Sequence, residues 1–77
     1  MSKDNVLIKF GNRIRLLRKQ NDWSQEDLSF KSGFHRTYIG MIERGERNPS
    51  LKNISVFANT FNISLSELLK LEINEMG

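Results

Sequence analysis

The side chains of this 77-residue sequence that could do chemistry are mostly cations and hydrogen-bonding groups. Twelve lysines and arginines stand against nine acids, with one histidine, His35, and no cysteine. A lone histidine without thiols builds no metal cluster, and no nucleophile and base stand in a catalytic constellation. The expectation is therefore a protein without cofactor, metal or enzymatic activity. What remains is recognition through hydrogen bonds. The richest run for it is GFHRTYIGMIERGER, residues 33–47, which reads as a short helix with Gly40 in its middle. Glycine costs about 1 kcal/mol relative to alanine in a helix interior, so its presence needs a reason.

The elements that position this run must come from one small domain, whose core alone supplies only a few kcal/mol. Without disulfide or metal, tight helix packing or dimerisation has to add to it. No apolar run approaches the roughly 18 residues of a membrane span, and the N-terminus lacks a signal-peptide layout. A soluble cytosolic protein with no membrane partner is expected. The net charge is +3 and the pI near 9.6, pointing to an acidic partner. Residues 1–59 carry 11 basic and 6 acidic side chains, whereas residues 60–77 carry Lys70 against Glu67, Glu72 and Glu75. The cationic surface lies away from the C-terminal end, although a solvated helix surface produces such asymmetry too.

Helical periodicity runs through nearly the whole chain and predicts five helices. In the first, about residues 4–20, Leu7, Phe10, Ile14 and Leu17 form one stripe. Ser24 followed by Asp27, with Trp23 and Leu28 in staple positions, predicts that helix two starts at Gln25; the staple is the firmer signal, since Asp is shorter than the Glu or Gln of an ideal capping box. Gly33 ends it near Ser32. Helix three begins after His35, with Phe34 and Ile39 as its staple, and ends at Gly45. Pro49 and Ser50 open helix four, whose apolar face is Ile54, Phe57, Ala58 and Phe61. Ser64 with Glu67, flanked by Ile63 and Leu68, opens helix five, about residues 64–75.

Two short helices joined by a glycine-containing turn, on a basic domain of this size, have the layout of a helix-turn-helix. The run IRLLRKQNDWSQEDLSFKSGFHRTYIGMIERGERNPSL resembles the helix-turn-helix of the phage-repressor (XRE) family, and RTYIGMIERGERNPSL within it is similar to the controller proteins of restriction-modification systems. The resemblance covers about residues 7–70. It implies an all-α fold, a compact five-helix bundle of the lambda-repressor-like DNA-binding kind, in a single domain spanning residues 1–77. Asp22 stands where glycine is usual in the turn, Ser29 where alanine is usual, and His35 where a capping Asp, Ser or Thr is usual. Asp tolerates a left-handed backbone better than most residues, and Ser is small enough for a close helix crossing.

On a helical wheel, Ile39 and Ile42 define the inward side of helix three, with His35 and Tyr38 at its edge. Thr37, Gly40, Met41 and Arg44 face outward with Arg36 on the flank. Gly40 then reads as clearance for DNA, or as a glycine tolerated on a solvent face. The resemblance, taken with side-chain chemistry, implies that Arg36, Thr37, His35 and Met41 read bases in the major groove. It further implies that Gln25, Tyr38, Arg44, Arg47, Asn48, Ser50 and Lys52 hold phosphates, partly at helix N-termini. Arg18 and Glu43 occupy positions that in the family form a partly buried ion pair between helices one and three. Trp23 reads as a staple and core residue.

Helix five carries more apolar side chains than a terminal helix needs. Leu65, Leu68, Leu69 and Ile73 make a stripe with Leu71 on its flank, which predicts a homodimer joined through helix five with help from helix four. Leu71 is expected to lie outside the monomer core. A dimer would present two recognition helices to a palindromic operator on double-stranded DNA. The leading reading is a dimeric transcriptional regulator, with no small-molecule ligand expected. A DNA-binding antitoxin or a phage-type repressor is the alternative; little chain follows helix five for a toxin to grip. A membrane-surface reading of NRIRLLRK fails because Phe10, Ile14 and Leu17 are needed for the core.

Overall fold

The capping signals resolve into five helices in the computed structural model, which describes residues 5–71: α1 Asn5–Gln20, α2 Gln25–Ser32, α3 Arg36–Glu43, α4 Leu51–Phe61 and α5 Leu65–Leu68. Among the described residues there is no strand, and no helix is long and apolar enough to cross a membrane. Local chemistry sets most boundaries. Ser24 Oγ accepts the Asp27 N–H at 2.9 Å while Asp27 Oδ2 accepts the Ser24 N–H at 2.8 Å, so both halves of the capping box form despite the short side chain. Ser50 and Ser64 cap α4 and α5 with one bond each, their hydroxyls accepting the Asn53 N–H and the Glu67 N–H at 3.0 Å, without the reciprocal half. Where the chain must turn left-handed, Asp22 and Asn62 adopt φ of 60° and Gly33 and Gly45 take 85° and 75°. Asp and Asn are the side chains that bear this conformation best.

The core gathers Phe10, Ile14 and Leu17 from α1, Leu28 from α2, Ile39 and Ile42 from α3, Phe57, Ala58 and Phe61 from α4, and Leu68 from α5. Burying such a side chain is worth about 1.5–3 kcal/mol, so each helix is held mainly by its apolar face. Phe57 is its hub: Phe10 meets it edge-on at 6.1 Å and Phe34 at 4.9 Å. Trp23 stacks on Phe61 at 5.6 Å with the Lys31 ammonium 5.0 Å from its ring centre, and is a packing residue.

Two long-range devices complete the frame. Gly11 lets α1 cross α3 closely: a Cβ there would lie 2.7 Å from the Glu43 carbonyl oxygen and closer still to that of Ile42. Arg13 closes α5, donating from Nε to the Leu68 carbonyl at 3.1 Å and from Nη2 to the Glu67 carbonyl at 2.7 Å. This changes the expected helix five. The helix ends at Leu68, with Leu69 as its cap, because an arginine from α1 takes up carbonyls that a further turn would use. Ile73 and the remainder of the predicted stretch to 75 lie outside the described residues.

Candidate nucleic-acid interface

The turn between α2 and α3 is built by side chains that satisfy its backbone. The Phe34 N–H donates to Ser32 Oγ at 3.1 Å, the Ser29 hydroxyl donates to the Phe34 carbonyl, and the Phe34 ring packs between Tyr38 and Phe57. His35 then caps α3: its Nδ1 accepts the Thr37 N–H at 3.0 Å, which places the ring proton on Nε2 and leaves that edge as a donor. The first turn of α3 therefore starts with three exposed residues, His35, Arg36 and Thr37. Arg36 Nη1 lies 3.4 Å from Glu26 Oε2, both side chains well exposed.

The other end of α3 is fastened by a buried charge. Glu43, 2% exposed, accepts Arg18 Nε at 2.6 Å and Nη2 at 3.0 Å in a two-pronged pair, and Gln25 Nε2 at 3.0 Å. Arg15 Nε stands 3.6 Å away, and Arg18 also donates to the Trp23 carbonyl. Burial pushes the Glu43 carboxyl upward, but the hydrogen bonds from Arg18 and Gln25 and the charges of Arg18 and Arg15 outweigh it, so the group sits below its ordinary range. One carboxylate thus locks α3 to α1 and to the N-terminus of α2.

The remaining candidates differ in exposure. Met41 is half-buried, with Arg47 Nη1 3.9 Å from its sulfur. Arg44, Arg47, Asn48, Ser50 and Lys52 are exposed. Tyr38 is half-buried and its hydroxyl accepts from Asn53 Nδ2 at 3.1 Å. Gln25 is less free than expected, since its amide nitrogen is committed to Glu43. Gly40 departs from the wheel reading: it is buried rather than open, because the Arg44 guanidinium folds across it, 3.2 Å from where a Cβ would stand, with Gln25 Oε1 at 3.8 Å. The glycine makes room for a side chain of its own protein.

The apolar surplus is likewise redistributed. Leu68 is fully buried in the monomer and so is removed from any interface. Leu71, expected on the outside, packs against the core, while Leu65 and Leu69 are 37% and 39% exposed. Leu69 and Leu71 border a shallow apolar groove with Val6, Phe10, Pro49 and Ile54. Gly11, Asn53 and Glu46 went unnoticed in the sequence, and Arg13 stood there only as a cation off the apolar stripe of helix one. Gly11 alone carried a signal, the same mid-helix glycine that drew attention to Gly40.

A short α2, a tight turn and an α3 whose exposed first turn is anchored from behind define a helix-turn-helix protein. The helix-turn-helix family model matches residues 14–68. The control protein C.BamHI of Bacillus amyloliquefaciens is 40% identical over 67 residues, 86% of this chain and 83% of that relative. The crystal structure of the restriction-modification controller protein C.AhdI from Aeromonas hydrophila is similar with a TM-score of 0.77 at 50% identity, covering 80% of this chain and 94% of that one. The controller protein C.Esp1396I, solved as a tetramer with its natural 35 base-pair operator, is similar with a TM-score of 0.76 at 33% identity, covering 90% and 92%. The chain belongs to the helix-turn-helix family, among the restriction-modification control proteins.

Proposed function

We propose that the chain is a transcriptional regulator of a restriction-modification system that binds a palindromic operator as a homodimer. The observation that carries the reading is the exposed first turn of α3, on a helix whose other end is fastened by the buried Arg18–Glu43 pair. Arg36 donates two hydrogen bonds to guanine O6 and N7, Thr37 meets a neighbouring base or thymine methyl, and His35 Nε2 and Met41 tune adjacent positions. Arg44, Arg47, Asn48, Lys52 and Tyr38, with the N-terminal residues Gln25 and Ser50 of the flanking helices, meet phosphates. C.Esp1396I, a relative solved on its operator, supports DNA as the partner. The dimer joins through Leu65, Leu69 and the groove beside Leu71, setting two copies of α3 about one helical turn of DNA apart. No membrane, cofactor or small molecule enters this scheme, and a cytoplasmic location is part of the proposal.

Selection from random-sequence duplexes tests the reading and should yield a palindrome, with binding that weakens steeply as salt rises. Arg36→Ala should lose about 1–3 kcal/mol selectively at one guanine per half-site, whereas Lys52→Ala should weaken all sequences alike. A selected pool without an enriched motif at moderate salt would overturn the proposal.

A further inference from the structure

Arg44 follows α3 directly, and its guanidinium already has a partner in the free protein. Nε donates to Glu46 Oε2 at 2.9 Å and Nη2 to Oε1 at 3.2 Å, two parallel bonds that fill one edge of the fork. Nη1 lies against Gly40, where any side chain would crowd it. Gly40 is thus the floor of the arrangement and Glu46 its clamp, and both side chains of the pair remain about half exposed. A phosphate offers an arginine the same two acceptor oxygens as a carboxylate does.

We propose that Glu46 is an intramolecular stand-in for a DNA phosphate: it occupies the fork of Arg44 in the free protein and must be displaced when Arg44 takes up DNA. It thereby lowers affinity for every sequence without changing which sequence is preferred. The inference rests on the DNA-binding reading above. The exchange trades one charge-assisted pair for another, so Arg44 contributes less than an unpaired cation would. The released carboxylate then stands beside the phosphates and recruits a cation, which offsets the counterion that Arg44 sets free. The bond from Arg44 also holds the Glu46 carboxyl below its ordinary range, opposed by a smaller effect of desolvation, so the clamp stays ionised near neutrality.

Glu46→Gln, Arg44→Ala and the double variant, each measured on the selected operator and on a random-sequence duplex across a salt series, test the brake. Neither substitution touches the core, and thermal unfolding verifies that each variant folds. Glu46→Gln should tighten binding to both duplexes about one and a half- to fivefold at low salt, the range of an exposed ion pair, and steepen the salt slope by up to about 0.9. The gain should vanish when Arg44 is already alanine. Weaker binding by Glu46→Gln would show that Glu46 positions Arg44 for DNA, and an equal gain in the Arg44→Ala background would reduce the effect to overall charge; either overturns the proposal. A wild-type protein that fails to distinguish operator from random duplex defeats the functional reading instead, and the brake is still read on the random duplex.

Discussion

Removing the Glu43 carboxylate should cost this protein a large share of its stability, although α3 keeps its whole apolar face. In Glu43→Ala, the Arg18 guanidinium, 11% exposed as a side chain, loses both bonds to the carboxylate and keeps the Trp23 carbonyl as its hydrogen-bond partner. Stranding a buried charge in this way costs about 3–5 kcal/mol. At roughly 0.05–0.15 kcal/mol per residue, a chain of this length has only about 4–12 kcal/mol in total. Urea unfolding followed by circular dichroism, at one fixed protein concentration because a dimer links stability to concentration, reads the loss directly. Arg18→Lys should also be costly, since an ammonium cannot supply two parallel donors. The paired change Arg18→Met with Glu43→Leu should recover most of what either removal loses, because it strands no charge. The acid limb gives an independent check. The Glu43 carboxyl is lowered in the fold, so its stabilisation is complete above the unfolded-state pKa and is lost as pH falls through the lower folded-state value. Stability should therefore fall with acid more steeply in the wild type than in Glu43→Gln. A Glu43→Ala protein that loses less than about 1 kcal/mol, the worth of a solvent-screened pair, would refute the assignment of this group as a buried lock.

Gly11→Ala gains about 1 kcal/mol of helix propensity but drives a methyl into the Ile42 and Glu43 carbonyls. With overpacking costing about 1–3 kcal/mol, the net result should be destabilisation of up to about 2 kcal/mol in the same unfolding assay; a stabilised variant would mean that α1 and α3 separate freely. Leu69→Asp places a charge on the exposed side of the α5 end, and should shift the protein toward monomer in analytical ultracentrifugation while it stays helical. Loss of operator affinity should accompany the shift. A Leu69→Asp protein that remains dimeric and binds its operator normally moves the interface elsewhere.

What was legible in the sequence is what is decided within a few residues. Ser24 and Asp27 announce a cap because both partners lie in one turn, and Asp22 takes the left-handed conformation its position required. Periodicity found the core for a related reason, since a helix face is a property of the helix alone. Residues whose partners are remote in the chain were missed. Arg13 reads as a solvated cation off the apolar stripe until α5 arrives 55 residues later with carbonyls to be capped. The same contact explains why the leucine stripe overstated helix five: spacing records which residues share a face if the helix continues, and says nothing of the group that ends it. Gly40 shows the limit from the other side. A wheel gives the direction of its missing side chain, yet what occupies that space comes from Arg44, whose conformation is set by Glu46.

These placements divide α3 into two halves with different duties. Its C-terminal half carries the buried carboxylate and lies under the Gly11 crossing, so substitutions there act on the fold before they act on any partner. Its first turn is capped by His35 and packed through Phe34, Tyr38 and Ile39, while its Arg36 and Thr37 side chains are exposed. Changes at those two positions leave every buried contact of the helix in place. If Arg36 and Thr37 read bases as proposed, preference can be altered there at little cost in stability, because the lock that orients the helix sits about two turns behind them.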